Sequence, residues 1–251
     1  MAKIVTNIAI ADATSITVRG RDLVNELIGK HTYTEMIYFL TVGRMPSAGE
    51  TRVLDACLVT LMEHGFTPAA LVSRLMAESV PDQIQVSIAA GLLAVGSVHA
   101  GTMEGCAALL QAGVEAADKQ EWCRRVVEDH RTRKEFVPGF GHRLHKPDDP
   151  RTVPLLWVAK ETGFDNRQVA LLLQLSREID ESAGRHVTIN ATGAIAALLL
   201  EIGMPAEVVR AIAVVSRAGG WVGHILEEQR TGSARHLTKL AKDTIPYEDP
   251  A

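Results

Sequence analysis

Aromatic residues make up only 4% of the 251-residue chain, cysteine occurs three times, and positive charge is not in excess. Each shortage removes a class of function. Lys+Arg total 26 against 30 Asp+Glu, a net charge of −4, which argues against a nucleic-acid binder working through a strong basic field. Cys57, Cys106 and Cys123 are widely spaced and form no C-x-x-C, so reduced core thiols in a cytoplasmic protein are expected. With neither paired cysteines nor H-E-x-x-H, no metal site is expected, and no glycine-rich phosphate loop of the Walker or dinucleotide type occurs. The opening MAKIVTNIAIADATS lacks the apolar core of a signal peptide, and the most apolar stretches (86–98 and 193–200) are too short to span a bilayer. A chain of this length buries about 70–75% of its unfolded surface, so one sizeable domain needs no staple.

What is present is mostly helical. Ala, Leu, Ile and Val recur at helical spacing along most of the chain, punctuated by Gly and Pro. The first twenty residues differ: IVTNIAIADATSITVRG is β-branched and alternating, with a turn signal at Ala11-Asp12, and predicts a short hairpin. EMIYFLTVG stops at Gly43, and ETRVLDACLVTLMEHG places Val53, Leu54, Cys57, Leu58 and Leu61 on one helical face before His64-Gly65. Two stretches, 84–98 and 192–203, are apolar nearly all round and predict central helices, enclosed by others or buried between subunits. The polar stretch 115–136 reads as a solvated helix.

One segment concentrates chemistry. Phe136 to Arg151 packs glycines, prolines, two histidines and several cationic residues into a stretch that Pro and Gly bar from regular helix. Such a loop presents backbone N–H groups, with His142 as a donor and Lys146 and Arg151 as charge partners for an anionic or carbonyl-bearing ligand. A basic surface loop would carry the same composition.

This loop resembles the PGFGHRVYKxxDPR segment of the citrate synthase superfamily. Four further stretches resemble the family in order: ITVRGRDLVNELIGKHTYTEMIYFLTVGRMP (16–46), AGLLAVGSVHAGTMEG (90–105), INATGAIAALLLEIGMP (189–205) and SRAGGWVGHILEEQ (216–229). The resemblance covers most of the chain and is strongest to the compact citryl-CoA lyases and the matching module of ATP-citrate lyase. It implies an all-α, multi-helical fold with a short N-terminal β-hairpin. A helical large domain (1–106 and 191–251) would carry a reduced small domain as segment 107–190. It also implies a homodimer with shared active sites, no tightly bound cofactor, and coenzyme A as part of the substrate.

Carried across position by position, the resemblance implies roles. His99 falls on the histidine that stabilises the enol of the acetyl thioester, and His142 on the one that polarises the oxaloacetate ketone. Arg151 and Arg217 fall on arginines that clamp substrate carboxylates. Arg235, rather than Arg230, falls on the arginine lent by the neighbouring subunit. Val137, Pro138, Gly139, Phe140 and Gly141 match the stretch that recognises the CoA adenine, and Lys146 a cation for its phosphates. Guanidinium forks suit a tricarboxylate, and neutral donors at carbonyl oxygens stabilise an enolate.

The family's proton-carrying aspartate, in N-V-D, is Thr192 here, in Asn190-Ala191-Thr192. Thr192 lies 25 residues before Arg217 and 11 before Gly203, and both landmarks match without a gap. A threonine hydroxyl is no general base near neutral pH. Three classes therefore stay open: a citryl-CoA lyase or citrate synthase-like enzyme with weakened or altered turnover, a hydrolase of a polycarboxyl-CoA thioester, and a non-catalytic paralogue that binds CoA or tricarboxylates. Asp148 and Asp149 are expected to shape the turn before Pro150 and are candidates for a substitute carboxylate, and His186 is a candidate for approaching the site.

Overall fold

The computed structural model describes residues 4–250, apart from the side chains of residues 97–100. At the N-terminus, β1 (Ala9–Ala11) pairs antiparallel with β2 (Ile16–Val18), as the alternating pattern requires. Asp12 closes the turn: its carboxylate accepts the N–H groups of Thr14 and Ser15, both at 2.8 Å. The sheet then goes beyond a hairpin. A two-residue β3 (Arg21–Asp22) adds to β2 across a turn in which Arg19 (φ 46°) and Gly20 (φ 80°) are both left-handed, the geometry of a tight two-residue turn.

The rest is helical, and the helices begin and end where local chemistry dictates. Thr32 and Glu35 form a reciprocal capping box at the start of α1 (Tyr33–Val42), which Gly43 ends with φ 93°. In α2 (Ala48–Met62), Val53, Leu54 and Cys57 are fully buried, the face expected from their spacing. Thr67 caps α3 (Pro68–Ser79), with Pro68 in the first turn. The apolar stretch 84–98 is not continuous helix. α4 (Ile84–Leu93) tightens at its end through Ala94 N–H to Gly91 O and Val95 N–H to Leu92 O, and α5 (Ser97–Val114) starts afresh beyond Gly96. There follow α6 (Lys119–Arg133), α7 (Thr152–Glu161), α8 (Arg167–Ala183), α9 (Ala191–Glu201), α10 (Val209–Thr231) and α11 (Ser233–Thr244). No helix among the described residues is long and apolar enough to cross a membrane.

Residues 1–57 and 105–207 form one compact unit. Its centre is α9, where Ala194 through Leu199 have no exposed surface. An all-apolar helix can only be satisfied this way, and Ile195, Leu198 and Leu199 each contribute about 1.5–3 kcal/mol of burial. α9 packs on α7 and α8, and α8 on α6. The helix 192–203 thus spends its apolar surface inside its own chain and offers no face to a second subunit. The Tyr38 hydroxyl lies 2.8 Å from Glu50 Oε1 and 2.7 Å from the Ile202 carbonyl, tying α1 and α2 to the end of α9. Cys57, Cys106 and Cys123 are buried and unpaired, and burial pushes the Cys106 thiol up to about 12.

Residues 58–104 and 208–251 form the other unit, built on α3, α4, α10 and α11. Trp221 is fully buried against Ala69 and Ala70, and its ring lies so close to Gly91 that an added methyl would meet it at 3.1 Å. Beside it Arg74, 2% exposed, spends its guanidinium inside the protein. Nε donates to His224 Nδ1 (2.8 Å), Nη1 to Glu228 (3.2 Å) and Ser233 (3.1 Å), and Nη2 to Glu227, while the group stacks 4.9 Å over Phe66. Glu228 in turn accepts from the Ala234 N–H, so one arginine fixes the corner where α10 turns at Gly232 (φ 63°) into α11.

Candidate active site

In the first unit the glycine- and proline-rich loop docks on the strand-like segment before α9. Gly139 O accepts from Asn190 N–H (3.1 Å), Gly141 N–H donates to Thr188 O (2.8 Å), and Phe140 pairs with Ile189. Two glycines make this approach possible. A methyl on Gly139 would stand 2.7 Å from the Cys106 sulfur, and one on Gly193 would strike the Gly139 carbonyl. Gly139 also has φ 90°. Val137 and Phe140 are buried, Pro138 packs beside Gly105, and Lys146 lies exposed farther along the loop.

His142 is oriented by its own loop. Its Nδ1 accepts the N–H groups of Leu144 (3.1 Å) and His145 (3.0 Å), which makes Nε2 the nitrogen that carries the proton in the neutral ring. The rings of His142 and His145 stack with centroids 4.4 Å apart. These two stand at H-x-x-H spacing, a metal-ligand pattern that the expectation of no metal site passed over.

Arg151 lies at the N-terminus of α7 and is held by Asp149, which accepts Nε at 2.9 Å and Nη2 at 2.8 Å. Asp149 has no exposed side-chain surface. It also accepts the Arg151 N–H and, across the loop, the Ala191 N–H (3.0 Å) in the first turn of α9. Burial raises its pKa, but the Arg151 fork with its charge and the two main-chain donors outweigh it and hold the carboxyl at about 2. Asp149 is therefore a fixed anion that aims an arginine, and a substitute base it is not.

Asn190 joins the parts. Its Oδ1 caps α9 by accepting Gly193 N–H (3.1 Å) and also takes the Thr192 hydroxyl (2.6 Å), while its Nδ2 donates to Gly141 O (2.9 Å). Thr192 thus spends its proton on Asn190, and its hydroxyl oxygen has no useful basicity. One loop and one helix start bring together His142, Arg151 and Thr192, together with the 137–141 segment.

Three expected site residues belong to the second unit. His99 lies in the first turn of α5, and its side chain is outside the described residues. Arg217 is part-buried on α10, beside Ser216, whose hydroxyl donates to the Leu58 carbonyl. Arg235, on α11, is 80% exposed and donates to Glu78 at 2.5 Å.

A family model, citrate synthase C-terminal domain, matches residues 46–239. The chain belongs to the citrate synthase family. Within that family it is similar to the 2-methylcitrate synthase of Shewanella oneidensis, 29% identical over 189 residues, 74% of this chain and 49% of the relative. The chain spans about half the length of the curated relatives it matches. Among solved structures, this citrate synthase family member matches citryl-CoA lyase from Hydrogenobacter thermophilus with a TM-score of 0.89 and 28% identity, over 99% of this chain and 95% of that one. ATP citrate lyase of Methanosaeta concilii, solved with (3S)-citryl-CoA, shares the fold at a TM-score of 0.80 and 20% identity, over 100% of this chain and 42% of that one. The all-α fold with a short N-terminal sheet follows from both the coordinates and these likenesses.

Family motifs name His142, Arg151 and Thr192 in advance. They do not name Asn190 as the joint or Asp149 as the holder of Arg151. The signal for the latter was its place two residues before the arginine in a proline-bounded turn.

Proposed function

We propose that this chain acts on a CoA thioester of a polycarboxylate, interconverting citryl-CoA with acetyl-CoA and oxaloacetate, in a homodimer with shared sites. The observation that carries the reading is the docking of the 139–151 loop on residues 188–192, which sets His142 Nε2–H and the Asp149-held Arg151 on one framework. In the cleavage direction Arg151 holds a carboxylate, with Arg217 and the partner's copy of Arg235 assigned to the others. His142 is assigned to the hydroxyl of citryl-CoA. That hydroxyl passes its proton to water as the C–C bond breaks, the bonding pair moves into the thioester enolate, and the oxaloacetate carbonyl forms against the His142 Nε2–H donor. His99 is assigned to the enolate oxygen. The 137–141 segment and Lys146 are assigned to the adenine and phosphates of CoA.

The enolate carbon must then gain a proton, and Thr192 supplies no acid of suitable strength. Positioned acid–base groups contribute about 10²–10⁴ in rate, so turnover is expected to be slow. The same threonine favours one second reading, thioester hydrolysis, which breaks the C–S bond and needs no carbon acid.

The test is product analysis with citryl-CoA for the wild type and Thr192→Asp. Acetyl-CoA and oxaloacetate from both, with the variant faster by about 10² or more, is the expected result. Equal rates would refute the assignment of residue 192 as limiting. Citrate and free CoA without oxaloacetate would establish the hydrolase, and calorimetric binding of citrate or CoA without any product would establish a binding paralogue.

A further inference from the structure

His186 stands outside the roles assigned above, yet it bridges two elements that frame the loop. Its Nδ1 lies 2.8 Å from Asp180 Oδ2, at the end of α8, and its Nε2 lies 3.0 Å from Asp148 Oδ1, in the loop. The other Asp180 oxygen accepts the Val187 N–H at 2.7 Å, which pins that carboxylate in place. Asp148 immediately precedes Asp149, the residue that forks Arg151 and caps α9. The remaining anchors of the loop on residues 188–191 are main-chain groups, Thr188, Asn190 and the buried Asp149. The His186 bridge differs from them in being half-exposed and ionisable.

We infer that His186 is a positioning residue, whose doubly hydrogen-bonded imidazolium ties Asp148 to Asp180 and so holds the 142–151 loop in the arrangement that presents Arg151 to a substrate carboxylate.

The chemistry follows from counting protons. Two carboxylates can both be satisfied only by a ring that donates from both nitrogens, which is the imidazolium. A neutral ring donates from one nitrogen and turns a lone pair on the other carboxylate, so one half of the bridge is lost. Hydrogen bonds to Asp180 and then to Asp148 accordingly raise the His186 pKa above its usual value. The charged groups seen against this residue are Asp180 from α8, Asp148 from the loop, and Arg185, which reaches the His186 carbonyl at 3.5 Å. The bridge is complete below the ordinary histidine range and is released as pH rises through the raised value.

This inference rests on the assignment of Arg151 to a substrate carboxylate, and its test separates the two. On the full chain, hydrogen-exchange protection of the Leu144 and His145 amides, each rate taken relative to an unstructured chain at the same pH, and calorimetric binding of citrate are measured at pH 6 and pH 9. The wild type is compared with His186→Gln, Asp148→Asn and His186→Arg. Expected are exchange faster by about three- to tenfold and citrate binding weaker by a similar factor in H186Q and D148N at pH 6. H186R, a cation that does not titrate, should restore both at pH 6 and lose less protection than the wild type between the two pH values. Unchanged exchange in H186Q and D148N, or the same pH response in wild type and H186R, would overturn the inference. A wild type that binds no citrate would sink the carboxylate assignment of Arg151, and the exchange comparison alone would then decide the bridge.

Discussion

Asp149 illustrates how a single buried carboxylate can organise a site without taking part in proton transfer. Its folded pKa of about 2 lies below the ordinary aspartate value, so its contribution is complete above about pH 4 and is lost as pH falls toward 2. That difference corresponds to about 2 kcal/mol. Asp149→Asn should lower the unfolding free energy by about this amount at pH 7, and the gap from wild type should close as pH drops from 4 to 2. Denaturant titrations at several pH values check it. If the gap does not change with pH, the carboxylate is not held as its geometry requires. The same variant should raise KM for the polycarboxylate more than it lowers kcat, because it frees Arg151 without touching His142. The sequence marks Asp149 as a turn former and candidate base and His186 as a candidate neighbour of the site, but not their partners, since those groups meet across gaps of two to forty-two residues.

At the scale of elements, the start of α9 and the loop it carries meet through hydrogen against carbonyl. Gly193→Ala should cost about 1–3 kcal/mol, because the new methyl meets a main-chain oxygen that no side-chain rotation relieves. Chemical denaturation measures it, and a neutral effect would mean that the two segments are not in contact. In the second unit, Glu228→Gln should be worse, about 3–5 kcal/mol, since it leaves the buried Arg74 charge partly uncompensated. Periodicity and punctuation made α1, α2, α6 and α9 legible in advance, because caps, glycine stops and apolar faces are local properties. The third strand, the break between α4 and α5, and the Arg74 network were not. Arg74 and Glu228 pair across 154 positions, and no local pattern encodes such a distance.

For the molecule as a whole, exposed apolar side chains occur on both units, and those of the second unit include residues of the helix that is apolar nearly all round. α4 leaves Leu93 88% exposed and Ile84 40% exposed, and α10 leaves Leu226 45% exposed. Single exposed aliphatics are ordinary, but a helix apolar on nearly every side is not. The homodimer proposed above should use this surface. Sedimentation at micromolar concentration should give a dimer, and Leu93→Glu should shift it to monomer with the helical content unchanged. A monomeric wild type would remove the basis for a site completed by Arg235 of a second copy. The Arg74 cluster has a consequence for how such a surface carries function. α10 is one rod of 23 residues, and a seven-residue step along a helix returns to within about 20° of the same azimuth roughly 10 Å away. Arg217 therefore faces the same way as His224, the residue that Arg74 grips. Rolling the rod about its long axis at the clamped end would swing Arg217 off its bearing, so a loss of grip at Arg74 should cost the chain its aim before it costs the chain its shape.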